Sequence, residues 1–194
     1  MRFLVCGSWR QALGVVLVAC GPLVASADEG LEWIERMNQA LVSRNYSGTF
    51  LHERGGQSES LQVHHRVRGG QISERLASLD GSGREFIRRG EEVIYVLPDQ
   101  QRLISERRPR NASLLPRFPQ LDERSAGIYV VSPVTRTRLT ARDVRLVSIT
   151  PRDPFRYGYR AWIDSRTHLP LKTELFDNEG NVLERVTFTS LSLL

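Results

Sequence analysis

The clearest strand in the sequence is the run Tyr157-Gly158-Tyr159-Arg160-Ala161-Trp162-Ile163-Asp164. Successive side chains of a strand point to opposite faces of a sheet, so Tyr157 and every second residue after it share one face. That face is largely apolar, whereas the face that begins with Gly158 also carries Arg160 and Asp164. The pattern predicts a strand with one face packed on a core.

Strand patterns continue on both sides of this run. Residues 170–177 and 182–191 follow it, and a turn at 177–181 separates them. The other predicted strands are residues 46–52, 61–67, 72–79, 85–89, 93–97, 102–106, 128–131 and 144–150. About ten strands at this spacing predict one meandering antiparallel sheet, which must curl or close because of its size.

Two other segments complete the predicted fold class, which is mainly β with helices (α+β). Residues 28–43 predict a helix that docks on the sheet through the apolar stripe Leu31, Trp33, Ile34, Met37, Ala40 and Leu41. Prolines 109, 116 and 119 interrupt residues 107–124. We predict a loop there that covers part of the sheet with Leu114, Leu115, Phe118 and Leu121.

Length and composition predict one exported domain. The chain has 194 residues, a formal net charge of +5 and 40% hydrophobic residues, so it can bury its own core.

Residues 1–27 predict a secretory signal peptide that ends at Ala25-Ser26-Ala27 and leaves a mature region at 28–194. Alternatively, Leu17-Val18-Ala19-Cys20 resembles the cleavage box of a bacterial lipoprotein, which would retain Cys20 as a lipid anchor. No apolar run reaches the roughly 18 residues of a membrane span.

The sequence predicts no enzyme, cofactor or metal site. No set of residues has the spacing of a nucleophile elbow, a phosphate loop or another catalytic motif. His64 and His65 suggest a metal site, but neighbours on a strand point to opposite faces. We therefore favour one exposed and one packed histidine. An exported chain with a small positive charge is not expected to bind nucleic acid.

The densest positive stretch is Arg107-Arg108-Pro109-Arg110, and Arg117 lies further along. Guanidinium groups pair well with phosphates and carboxylates. We therefore predict that lipid or a partner protein binds at Arg107, Arg108, Arg110 and Arg117, the alternative being a solvated loop. Residues 93–97 are apolar on both faces, which predicts either a hydrophobic groove or a strand covered on both sides.

Several motifs carry a family resemblance. They are Leu79-Asp80-Gly81, Arg84-Glu85, Arg88-Arg89-Gly90-Glu91, Tyr95, Arg136-Thr137-Arg138-Leu139, Arg152-Asp153, residues 156–164, Leu169-Pro170-Leu171 and residues 175–180. In order and spacing the chain resembles the RseB/MucB family, periplasmic regulators of the envelope-stress sigma factor. The resemblance implies a large N-terminal domain similar to the lipoprotein carrier LolA, a half-open β-barrel with helices over its concave side.

The resemblance also implies a function. Such proteins bind the periplasmic part of an anti-sigma factor, RseA or MucA, and protect it from proteolysis until lipopolysaccharide or a related lipid releases them. We therefore expect a periplasmic negative regulator of this stress response, with the anti-sigma factor and lipid A or acyl chains as partners and homo-oligomer formation left open. The family's small C-terminal domain is expected to be absent after Leu194. The alternative function is a periplasmic lipid or lipoprotein carrier of the LolA type.

Overall fold

The computed structural model describes residues 25–109, 115, 118–119, 121 and 127–194. These residues form one α-helix, α1 (Ala25–Ser43), and a twelve-stranded sheet. The strands are β1 (Tyr46–Arg54), β2 (Gln57–Arg68), β3 (Gln71–Ser78), β4 (Glu85–Arg89), β5 (Glu92–Leu97), β6 (Arg102–Arg107), β7 (Tyr129–Val131), β8 (Thr135–Leu139), β9 (Arg142–Pro151), β10 (Gly158–Asp164), β11 (Pro170–Phe176) and β12 (Val182–Leu193). No helix among these residues is long and apolar enough to cross a membrane.

The sheet is antiparallel and open. Its strands are ordered β6-β5-β4-β3-β2-β1-β12-β11-β10-β9-β7, and β8 pairs with β9 beside β7. β1 joins the two halves because it pairs with β2 on one side and with β12 on the other. The described strands do not close on themselves, since β6 and β7 stand at opposite ends of the order. The predicted fold class, a large antiparallel sheet that remains half-open, is therefore confirmed.

Local sequence patterns located most of these elements. Every strand predicted from alternation is present, with ends that differ by a few residues. The patterns do not predict β8 (Thr135–Leu139), because its threonines and arginines are mostly exposed and provide no apolar face. Hydrogen bonds to β9 hold this segment extended. Helix α1 begins at Ala25 rather than at residue 28, and Leu31 of its predicted stripe is 36% exposed, so this residue was assigned wrongly to the buried face.

Two apolar clusters lie mostly on one face of the sheet, which we call the core face; the opposite face is the outer face. One cluster places Trp33, Ile34 and Met37 of α1 against the strands. Its strand residues are Val147, Ile149, Ala161 and Ile163, two of which belong to the apolar face of the run at 157–164. The second cluster draws on both halves of the sheet. It includes Tyr46, Phe50, Leu61, Val63 and Leu76 of β1 to β3 and Val144, Leu171, Val186 and Leu191 of β9, β11 and β12.

The segment after β6 contributes to both clusters. Leu115 and Phe118 are buried, and Leu121 packs against the cluster under α1. The Phe118 ring lies 5.4 Å from the ring of Tyr159. The side-chain amide of Asn38 donates a hydrogen bond to the Phe118 carbonyl at 3.4 Å. The predicted covering loop is confirmed at these positions, and Leu114 lies outside the described residues.

Candidate functional site

A cleft of about 840 Å³ lies at strands β2 to β6. Much of its wall belongs to the outer face, because strand alternation places the core residues on the other side. His64 is exposed while His65 is fully buried, and Arg89 is exposed while Arg88 is 1% exposed. The register of the antiparallel pairs aligns the outer-face residues of the cleft in two rows that cross the strands.

The first row carries most of the positive charge. In strand order from β2 to β6, its members are Arg66, Ser73, Arg89, Glu92 and Arg107, and we call it the arginine row. All of these side chains are exposed. Within the described part of the chain, none of the three arginines forms an ion pair with a carboxylate, and Glu92 accepts a hydrogen bond from the Ser105 hydroxyl at 3.0 Å.

The second row is less polar. Its members are His64, Arg75, Ile87, Ile94 and Ser105, and we call it the isoleucine row. Ile87 and Ile94 face each other across β4 and β5 and are half-buried. Arg75 forms a bidentate pair with Glu85, with 2.9 Å between Nε and Oε2. Hydrogen bonding to Arg75 lowers the pKa of Glu85, so this arginine is already engaged within the protein.

A buried arginine supports the cleft from the core face. Arg88 donates from Nε to the Gly90 carbonyl and from Nη2 to the Pro109 carbonyl, both at 2.8 Å. Burial lowers the pKa of Arg88, and the charge of nearby Glu74 opposes this shift. These bonds hold the β4–β5 turn to the chain that leaves β6. Arg88 therefore fixes the backbone beneath the exposed charged residues of the cleft.

The structure separates the arginines predicted from the basic stretch. Arg107 is exposed in the arginine row. Arg108 instead joins Tyr95 and Glu106: its Nη2 lies 2.6 Å from the Tyr95 hydroxyl, and its Nε donates to the Glu106 carboxylate. Hydrogen bonds from Tyr95 and Arg108 lower the pKa of Glu106. Arg110 and Arg117 lie outside the described residues.

Sequence reasoning missed Arg66 and Arg89 as members of the site. They are separated from Arg107 along the chain and come together only through strand pairing. A signal was available in Gly69-Gly70 and Gly90, which lie between predicted strands, because a tight turn sets the register of its hairpin. Working out this register across β2 to β6 would have placed these arginines on one row.

The core face holds a smaller apolar cavity of about 190 Å³. Its lining includes Phe118, Tyr159, Leu175 and Val186. The pKa of Tyr159 is raised by burial. This cavity is smaller than the roughly 300–1,000 Å³ of typical ligand pockets. In the strand at 93–97, Val93 is fully buried and the other four residues are half-buried.

The histidine pair behaves as strand alternation predicts. His64 is exposed on the outer face. His65 is buried, stacks on Tyr46 with ring centroids 4.7 Å apart, and has Nδ1 2.8 Å from the Arg44 carbonyl. No three potential metal ligands come together within the described ranges.

Comparison with known proteins gives consistent family matches. The chain matches the model of the MucB/RseB N-terminal domain over residues 29–194. The sigma factor AlgU regulatory protein MucB of Pseudomonas aeruginosa is 32% identical over 185 residues, which cover 91% of this chain and 56% of that protein. The sigma-E factor regulatory protein RseB of Salmonella typhimurium is 32% identical over 153 residues, which cover 78% of this chain and 48% of that protein. The chain thus spans about half the length of these curated relatives.

Solved structures agree with these matches. The crystal structure of MucB is 31% identical, with a TM-score of 0.69, and the match covers 85% of this chain and 58% of that one. MucB in complex with MucA(peri) is 30% identical, with a TM-score of 0.65 and coverage of 84% and 55%. A conserved protein from Thermus thermophilus shares the fold alone, with a TM-score of 0.60 at 15% identity and coverage of 86% and 88%. By its sequence and its fold together, the chain belongs to the MucB/RseB family.

Proposed function

We propose that this protein is a periplasmic negative regulator that binds the periplasmic segment of an anti-sigma factor and protects it from proteolysis. One observation carries the proposal: MucB bound to MucA(peri) matches 84% of this chain at a TM-score of 0.65 and 30% identity. The region of MucB that the present chain matches is therefore part of a protein that forms such a complex. Relatives are named as sigma factor regulatory proteins, in agreement with this role.

The architecture is suited to binding rather than to catalysis. An open sheet with a packed core presents broad surfaces to a polypeptide, and the cleft at β2 to β6 combines exposed arginines with the half-buried Ile87. A bound segment is protected because a protease needs an extended, accessible chain. We propose that the protein is not an enzyme and that export through residues 1–27 brings it to the periplasm.

Lipid is proposed as the signal that releases the partner. Arg107, Arg108, Arg110 and Arg117 remain the candidate positions for lipid phosphates or partner carboxylates. Of Arg107 and Arg108, the two that the structure describes, Arg107 is the stronger candidate, because Arg108 already interacts with Tyr95 and Glu106. The same phosphates would compete with an acidic partner for exposed guanidinium groups.

A second candidate function is a periplasmic carrier of lipids or lipoproteins. The apolar cavity at Phe118 and Tyr159 favours it, because this cavity lies on the core face where an acyl chain would avoid water. Its volume of about 190 Å³ admits only part of a chain unless the covering segment moves. This function predicts that acyl chains co-purify with the protein.

The test is a binding and protection experiment with the periplasmic segment of Pseudomonas aeruginosa MucA. We expect the purified protein to retain this segment in a pull-down and to slow its cleavage by an added protease. Lipopolysaccharide should reverse both effects. Absence of binding and protection would reject the regulatory function, whereas mass spectrometry of lipids extracted from the purified protein decides on the carrier function.

A further inference from the structure

We propose that the arginine row and the isoleucine row form a docking groove for an amphipathic helix of another protein, with acidic side chains seven residues apart. The helix lies across strands β2 to β6. This inference rests on the proposed function only for the source of the helix, which is the anti-sigma segment. The groove itself is argued from the register, exposure and charge of its own residues.

Spacing is the first argument. Neighbouring strands lie about 4.8 Å apart, so Arg66, Arg89 and Arg107, each two strands from the next, are separated by about 10 Å. Seven residues of an α-helix advance about 10.5 Å and bring the side chain back to nearly the same direction. The whole row spans about 19 Å, which a helix of about 13 residues covers.

The order of charges is the second argument. From β2 to β6 the row reads positive, neutral, positive, negative, positive, at Arg66, Ser73, Arg89, Glu92 and Arg107. A ligand with only negative groups would place one of them beside Glu92. A polypeptide can instead present a basic or hydroxyl side chain there, between two carboxylates. Mixed charges therefore favour a protein partner over a lipid headgroup, and they also define its register.

The neighbouring row supplies the apolar contact. Ile87 and Ile94 lie two residues along their strands from Arg89 and Glu92, on the same face. Alternate residues of a strand are about 6.7 Å apart. Ile87 and Ile94 therefore lie close enough to the charged residues for one helix to contact both rows with two adjacent faces. All members of the arginine row, and all members of the isoleucine row except Ile94, line the same cleft of about 840 Å³. An amphipathic helix would place apolar residues on the isoleucines and acidic residues on the arginines.

The arginines of the row are available for such a partner. Two nearby arginines are engaged within the protein: Arg75 of β3 pairs with Glu85, and Arg84, just before β4, pairs with Glu59 at 2.7 Å and with Asp80 at 2.9 Å. Arg66, Arg89 and Arg107 have no carboxylate partner within the described part of the chain, and their side chains are exposed. Binding of a partner therefore does not require these three arginines to break an ion pair within the described part of the protein.

The test compares two triple variants of the full chain by isothermal titration calorimetry. The first replaces the row by Arg66→Gln, Arg89→Gln and Arg107→Gln. The matched control, Arg44→Gln, Arg152→Gln and Arg166→Gln, removes the same charge from exposed positions elsewhere. The probes are the periplasmic segment of MucA and a designed helical peptide with glutamates seven residues apart and leucines on the adjacent face.

We expect the row variant to bind both probes about tenfold more weakly, as the loss of three exposed charge pairs implies, and the control to stay within about twofold of wild type. Added salt should weaken the wild type more than the row variant. Equal effects of the two triple variants on the designed peptide would overturn the groove. Vesicles of phosphatidylglycerol and lipopolysaccharide are a further probe. If the row variant loses binding only to these vesicles, the row is a lipid surface and the groove is overturned as well.

The two probes distinguish the groove from the proposed function. If wild type binds the MucA segment but the row variant binds it equally well, the proposed function stands and the groove is wrong. If wild type binds the designed peptide through the row but does not bind the MucA segment, the groove stands and the regulatory function fails for this chain.

Discussion

Two rows of charged residues on the outer face of the same sheet differ in how their charges are used. In strands β2 to β6, the arginines of the arginine row lack carboxylate partners within the described residues. In strands β10, β11, β12 and β1, the aligned residues are Arg160, Glu174, Arg185 and Glu53, which we call the compensated row. Its signs alternate strictly, so each charge has an opposite neighbour.

Glu174 is the centre of the compensated row. Its side chain is 5% exposed and lies 2.9 Å from Lys172, 3.0 Å from Arg185 and 3.3 Å from Arg160. Burial would raise the pKa of Glu174, but hydrogen bonds from Lys172 and Arg185 outweigh this effect, and the pKa lies below its ordinary value. The compensated row thus uses its charges for stability, whereas the three arginines of the arginine row are exposed and form no ion pair among the described residues.

The largest effect is expected from Glu174→Gln. The variant leaves three cations around a neutral amide, so the free energy of unfolding should fall by about 3 kcal/mol. Urea denaturation followed by circular dichroism measures this change. Glu92→Gln in the arginine row is the control, and we expect it to stay within about 0.5 kcal/mol of wild type. Equal losses for both variants would contradict the contrast between the rows.

A steric change beneath the compensated row is expected to have the next largest effect. An alanine Cβ at Gly158 would lie 2.3 Å from Cζ of Phe176, and the Arg160 guanidinium stands 4.1 Å above this ring. Gly158→Ala should therefore lower the free energy of unfolding by about 2 kcal/mol through overpacking. Gly127→Ala serves as the control, because no atom of the described residues lies within 4 Å of its Cβ. An unchanged urea midpoint for Gly158→Ala would show that Phe176 moves freely.

Part of the pH dependence of stability should come from Glu174 in the compensated row. Hydrogen bonds hold the pKa of Glu174 below its ordinary 4.5 in the folded state, so the stabilisation is present above about pH 4.5 and is lost as pH falls through the folded pKa. Urea midpoints measured from pH 7 to pH 3 should fall for wild type. The same series for Glu174→Gln should be flatter, and parallel curves would assign the acid sensitivity to other carboxyl groups.

The smallest effect on stability is expected in the arginine row. Arg66→Gln, Arg89→Gln and Arg107→Gln together should change the free energy of unfolding by less than about 0.5 kcal/mol, because exposed charges without partners contribute little to folding. Thermal unfolding at low and high salt measures this. A loss above about 1 kcal/mol would mean that these arginines have structural partners and are not reserved for binding.

Local patterns predict the elements well and the site only in part. The alternation at 61–67 correctly separates His64 from His65, since which face a residue occupies depends only on its place along one strand. The basic stretch at 107–110 marks Arg107 and Arg108 alike, whereas in the fold Arg107 is exposed in the arginine row and Arg108 is hydrogen-bonded within the protein. Their difference arises from Tyr95 and Glu106, which reach Arg108 only after β5 and β6 pair.

The amino-acid sequence determines the strands, the amphipathic helix and the family, because periodicity and motifs are properties of neighbouring residues. Tertiary structure decides the rest. β8 is extended because β9 provides its hydrogen bonds, and not because its own residues form a buried face. Likewise, the register of four successive strand pairs brings Arg66, Arg89 and Arg107 into one row. The register of β10, β11 and β12 places Glu174 between Arg160 and Arg185. Whether a charged side chain has an ion-pair partner depends on residues far away in the sequence. Composition does not show which of these residues come close together in the fold.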